Sequence, residues 1–188
     1  KYNKYYSWHY INMDLDDTYA SAEKNPKGDL VTGIQTCIAA LKDEKSTQES
    51  KEFHLKMLVH FVGDLHQPLH IGRPEDRGGN DVHIEWFGNK TNLHVVWDHS
   101  MIDDWEMSYL ELANNARSLS KKQIQAIKKG SLIDWVDEVH ELTVEVYNSV
   151  ESGQNLRYAY SYEYFGIVRT QLQKGGIRLA KLLNEIFD

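Results

Sequence analysis

The chain of 188 residues is poor in cysteine, proline and basic side chains, and each scarcity excludes something. Cys37 is the only cysteine, so no internal disulfide can form and the redox compartment stays open. Three prolines among well-spread helix formers leave the backbone free to be mostly helical. No apolar run approaches the ~20 residues that cross a bilayer as a helix, so no membrane partner is expected. The opening KYNKYYSWHY does not resemble a signal peptide, which needs an apolar stretch after a charged start. Lysine and arginine number 21 against 28 acidic residues, a formal net charge of −7. A broad basic face gripping nucleic acid by its phosphates is therefore not expected. Bound divalent cations would reverse that sign locally, so net charge does not decide the substrate.

Hydrophobic residues make up 41% of the chain, enough for a real core in one domain with no internal repeat. The tyrosines and tryptophan of the opening (Tyr2, Tyr5, Tyr6, Trp8, Tyr10) are expected to pack. Ile34, Cys37, Ile38 and Leu41 keep helical period and predict a helix over residues 30–44. A longer helix is expected from about Ser46 or Thr47 to Leu65, with Phe53, Met57 and Phe61 inward, and Pro68 forbids its continuation. RPEDRGGND is a loop by its glycine and charge, with Asn80 fixing a turn. VHIEWFGNKTNLHVVW alternates about Gly88-Asn89 and predicts a β-hairpin. Three helices should follow, over residues 98–114, 132–149 and 162–187.

Histidine is plentiful, and it is clustered. HFVGDLHQPLH, residues 60–70, carries three imidazoles and a carboxylate where a helix must end. His60 and Asp64 are four apart on that helix and share a face. His94 and Asp98 repeat the spacing where the hairpin gives way to the next helix, and His70 is free to turn to either pair. Imidazole with carboxylate suits zinc; either pair alone reads more readily as a hydrogen-bonded surface couple, and the two pairs together with His70 favour a metal site. His66 is expected to pack rather than ligate. His54, His83, His99 and His140 have no partner at suggestive spacing, and Trp86, Trp97, Trp105 and Trp135 read as core.

At these residues the chain resembles the zinc-dependent single-strand nucleases of fungi, plants and bacteria, the S-one/P-one family, and looks like a bacterial member. WHYIN resembles the block with the first internal zinc histidine, and HFVGDLHQPLH, GGND and NLHVVWD follow in the family's order. GIRLAKLLNEIF resembles its last helix, so the likeness covers essentially the whole chain. It implies an all-α single domain over residues 1–188 with one small hairpin, the fold shared with zinc phospholipase C. By that resemblance His9, His60 and Asp64 belong to a first zinc, and His70, His94 and Asp98 hold a second. Asp64 would bridge to a third zinc, setting the spacing of a catalytic pair. That third metal's other ligands, a terminal tryptophan and a nearby histidine, and a further aspartate of the first site precede WHYIN in the family. They are expected to be lacking here, and Lys1 cannot stand in for the tryptophan. Two zinc sites would thus be largely retained, the second most robustly.

The implied activity is hydrolysis of single-stranded DNA, RNA and 3′-nucleotides to 5′-phosphorylated products by a secreted or periplasmic enzyme. Single-strand preference follows if an unstacked base lies against an aromatic near the metals. Tyr10, beside His9, is the candidate, with a core role the alternative. Asn12 stands where some fungal members carry an acid, which bears on base preference. Two other readings remain at this stage: a lipid phosphodiesterase of the zinc phospholipase C type, and a non-catalytic zinc-binding fragment. Asp98 in place of glutamate, and the GGND hairpin, favour the nuclease. Oligomeric state is left open.

Overall fold

Two capped helices carry the architecture. Asp29 accepts from the Thr32 amide (3.0 Å) and starts α1 (Leu30–Lys42). Thr47 does the same for α2 (Gln48–Leu65) through the Ser50 amide. The computed structural model describes residues 3–188, so Lys1 and Tyr2 of the aromatic opening lie outside the described residues. Both helices fall within two residues of expectation. Phe61 is fully buried, whereas Phe53 and Met57 are only half-buried.

Leu30, Ile34, Cys37 and Leu41 on α1 close against Leu58, Phe61 and Leu65 on α2. Trp135, Val136 and Val139 of α7 (Leu132–Asn148) and Leu182 of α8 (Tyr158–Phe187) complete this first core. Gly33 permits a close approach on α1: a Cβ there would lie 3.0 Å from both the Phe61 ring and Trp8 Cβ. The 3₁₀ turn Asn3–His9 therefore settles onto the helix pair and delivers His9 to it. Tyr5 and Trp8 pack, their rings 5.1 Å apart, while Tyr6 stays exposed.

A second core gathers Leu69, Trp86, Leu93, Val96, Trp97, Met101, Tyr147, Tyr160 and Phe165. Residues 66–70 run between the two cores, so the end of α2 sits on the seam. β1 (Ile11–Asn12) pairs in parallel with β2 (Ile71–Gly72), Ile11 opposite Ile71. β3 (His83–Trp86) and β4 (Asn89–Asn92) form the hairpin, and β5 (Asn155–Leu156) adds to β3 in parallel.

The mostly helical fold class holds, with four departures. The hairpin turns on Phe87 and Gly88, φ +51° and +82°, rather than on Gly88-Asn89. Such a two-residue turn needs positive φ at both positions, and Phe87 is held there against Trp86 and Tyr158. The expected single hairpin is joined by β5 and by the separate β1–β2 pair, because distant two-residue strands leave no periodic trace. The expected helix over 98–114 starts earlier and is broken. α3 (Leu93–Val95), a π-helical turn (Val96–Ser100) and α4 (Met101–Asp103) form one run, and the chain reverses at Glu106, φ +50°. α5 (Tyr109–Asn114) then restarts on a Ser108–Glu111 capping box. Finally, α6 (Lys121–Ile127) was not expected, and α8 begins at Tyr158, four residues before 162.

Ile34 has no exposed surface where α1 meets α2. Replacing it with alanine should lower unfolding free energy by about 2–5 kcal/mol. Urea titration followed by circular dichroism checks this, with an unchanged slope confirming that the fold survives.

Candidate metal centre

Three elements converge on the seam. His60 and Asp64 stand one turn apart at the end of α2, and His9 closes the 3₁₀ turn beside them. His9 Nδ1 lies 2.9 Å from Asp64 Oδ2 and 3.0 Å from His60 Nε2. His60 Nε2 is 3.3 Å from the same carboxylate oxygen. Phe61 underpins the group, its ring 5.1 Å from that of His9. These three residues thus form one donor cluster.

His70, His94 and Asp98 form the next. Gln67 caps the turn Pro68–His70 by accepting from the Leu69 amide (2.6 Å), turning the chain back after α2. The β1–β2 pairing then lays His70 beside His9, and His70 Nδ1 donates to the His9 carbonyl (2.6 Å). That bond leaves Nε2 free, 3.3 Å from Asp98 Oδ1. His94 donates from Nδ1 to the Gly78 carbonyl (2.8 Å), which likewise frees its Nε2. His94 and Asp98 lie on one helical run, not across a hairpin end, and the π-turn sets their relative angle. Within each group the candidate ligand atoms all lie within 4.8 Å of one another.

Asp64 ties the groups together. Its side chain is only 12% exposed; Oδ2 faces His9 and His60, while Oδ1 lies 3.8 Å from His70 Nδ1. Imidazole nitrogens about a carboxylate at these separations repel through their lone pairs unless a proton or a cation lies among them. A tetrahedral zinc with N and O donors at about 2.0–2.2 Å keeps them roughly 3.3–3.5 Å apart. The first group, at 2.9–3.3 Å, needs only tenths of an ångström to reach that spacing. The donor sets therefore fit a divalent metal.

Electrostatics follow the same geometry. The His70 imidazole holds Asp98 at about 2, well below the usual carboxylate range. Burial alone would push His70 down, but Asp98, Asp64 and the His9 carbonyl together raise it. His94 is lowered, by burial first and then by His70. Burial takes His66 down to about 4. His66 is a packed residue and not a ligand, lying between the Val62 carbonyl (2.7 Å) and Arg178 (3.2 Å).

Tyr10 and Asn12 line a cavity of 420 Å³ whose wall also includes His9, His70, His94, Arg77 and Asn80. Tyr10 is half-buried at that wall, not core, and Asn80 holds its turn by donating to the Arg77 carbonyl (2.8 Å). His140 is a buried structural residue facing the Ile71 and Asp14 carbonyls. Trp86, Trp97 and Trp135 are core, whereas Trp105 stacks on Phe165 with part of its ring exposed. Sequence reasoning missed Gln67 and the Gly78 carbonyl, whose contacts depend on backbone geometry, and the buried Asp76. No spacing rule marks Asp76 among the charges of its loop.

A family model described as S1/P1 Nuclease matches residues 1–188. Endonuclease 2 of Arabidopsis thaliana is 30% identical over 218 residues, covering 97% of this chain and 73% of that protein. Endonuclease 4 of the same plant is 35% identical over 156 residues, 71% of this chain and 50% of its own length. Nuclease S1 of Aspergillus oryzae is 38% identical over 130 residues, 66% of this chain and 43% of that protein. The chain thus spans about half the length of most of these relatives.

His66 carries a pH prediction. Unfolded, its ring titrates near 6.5; folded, near 4. Between those values the unfolded chain holds a proton that the folded chain does not, so acid favours unfolding. From pH 7 to pH 4.5 the metal-free protein should lose about 2 kcal/mol more stability than a His66→Gln variant. The raised His70 acts in the opposite sense in both proteins and cancels in the comparison, which urea midpoints at the two pH values provide.

Proposed function

Because the chain belongs to the S1/P1 nuclease family, we propose that it is a zinc-dependent phosphodiesterase acting on single-stranded DNA and RNA and on 3′-nucleotides, leaving 5′-phosphorylated products. The observation that carries this reading is Asp64 standing between two groups of imidazole and carboxylate donors. His9, His60 and Asp64 would hold one zinc, and His70, His94 and Asp98 another. Bound zinc supplies positive charge against the phosphodiester and lowers the pKa of a coordinated water toward about 7.

The remaining work belongs to the chain itself. Asp64 anchors the first group, its Oδ2 facing both His9 and His60, and its Oδ1 lies 3.8 Å from the His70 ring. The Tyr10 ring offers a face to a base that has left its stack, and a base held in a duplex cannot reach it. Asn12 presents its amide to the base edge in the same cavity. Arg77, paired with Asp81 at the rim, places one cation beside the path of the phosphate backbone. No helix among the described residues is long and apolar enough to cross a membrane. Action outside the cytoplasm, secreted or periplasmic, is part of the proposal and is supported by the family likeness.

Incubation with single-stranded oligonucleotide, duplex and phosphatidylcholine vesicles, with and without a chelator, tests the reading. Cleavage confined to the single strand and abolished by the chelator is expected. Release of phosphocholine with no cut strand would overturn it. Asp64→Ala should cost more activity than His60→Ala or His94→Ala, at least about 100-fold against wild type, because it removes the buried carboxylate that both His9 and His60 face. Tyr10→Ala should raise KM for the single strand several-fold, with a smaller effect on kcat. Steady-state kinetics on one oligonucleotide reads both effects.

A further inference from the structure

The loop after β2 contains an acid that no motif marks. Asp76 is 7% exposed, and four donors converge on its carboxylate. Arg73 donates from Nε (3.0 Å) and Nη2, the Tyr147 hydroxyl donates at 2.6 Å, and the Gly79 amide donates at 2.8 Å. The Arg73 guanidinium also lies over the Tyr147 ring, 4.2 Å from its centroid. Tyr147 comes from α7 and belongs to the second core, so the cluster anchors a surface loop to the body of the protein.

What that loop delivers is a carbonyl. Gly78 sits between the two ends of the cluster: its amide donates to the Arg73 carbonyl (3.0 Å), and the next amide, that of Gly79, donates to Asp76. Its φ is +64°, and a Cβ would fall 2.4 Å from the Leu69 carbonyl oxygen, so only glycine fits. The peptide so fixed presents its oxygen to His94 Nδ1. Loop shape alone is served by other bonds, such as Arg77 to the Pro74 carbonyl and Asp81 to the Asp76 carbonyl. The buried carboxylate adds the tether between Gly79 and α7.

We propose that Asp76 is a positioning residue for the second metal group: through Gly79 and Tyr147 it holds the Gly78 carbonyl where it fixes the His94 tautomer, leaving Nε2 as the ligand atom. This rests on the metal-binding reading given above. Hydrogen bonds behind a ligating histidine set ring orientation and basicity, and losing one typically costs 10–100-fold in metal affinity.

The test uses the full chain, Zn²⁺ alone as probe, and two readouts independent of catalysis. Nitrogen–proton correlation spectra of the metal-free protein report the His94 tautomer. Competition with a chromophoric chelator gives the two zinc affinities, assigned to their groups by the His9 and His94 ring signals. Asp76→Ala should mix the His94 tautomers and weaken zinc at the second group about 10–100-fold. The first group should stay within about twofold of wild type, and Asp76→Asn, which keeps an acceptor for Gly79, should restore most of the loss. An unchanged tautomer with unchanged second-group affinity would overturn the proposal, as would equal weakening of both groups. Should Asp76→Ala fail to fold, Tyr147→Phe removes one donor and no charge. A several-fold loss at the second group alone then supports the role, and no change refutes it. Wild-type protein that binds zinc at neither group would instead refute the metal-binding reading itself.

Discussion

A two-residue parallel pairing makes one site out of distant segments. Ile11–Asn12 against Ile71–Gly72 is a small ladder, and its energy is modest beside that of either core. Its position matters more than its size. It follows His9 on one strand and His70 on the other, and the bond from His70 Nδ1 to the His9 carbonyl extends it by one rung. Without that register His70 would not lie beside His9, and its ring would be free to turn its other nitrogen inward.

The centre also explains how an acidic chain can be built to act on a polyanion. With a net charge of −7, the surface as a whole repels phosphate. Under the proposed function Asp64 and Asp98, the carboxylates at the seam, would hold cations that reverse the local sign. The two histidines of the second group are prepared in advance: Nδ1 of His70 and of His94 is bonded to a backbone carbonyl, which leaves Nε2 of each as the candidate ligand atom. Packing provides the rigidity, with Phe61 beneath the first group and Leu69, Leu93 and Val96 beside the second.

Much of this was legible in the residues. The four-residue spacing of His60 and Asp64 on an amphipathic helix put both on one face, and Pro68 marked where that helix must stop. His94 and Asp98 carry the same spacing, but the alternation that suggests a strand stops at Asn92, and the segment beyond it is already helical. The turn at Phe87-Gly88 escaped because a phenylalanine with positive φ is held there by ring contacts that no turn rule contains. The β1–β2 pair escaped because two-residue strands from distant segments have no periodicity to find. Asp76 looked like one more loop charge, and only burial against Tyr147 sets it apart. Side-chain chemistry thus showed through the sequence, whereas backbone carbonyls and long-range pairings did not.

The most direct test is crystallographic. Diffraction from the protein grown with Zn²⁺, collected on both sides of the zinc absorption edge, locates the metal without reference to activity. One anomalous peak among His9, His60 and Asp64 and another among His70, His94 and Asp98 is the predicted result. Anomalous peaks lying elsewhere, with both clusters bridged only by water, would contradict the account.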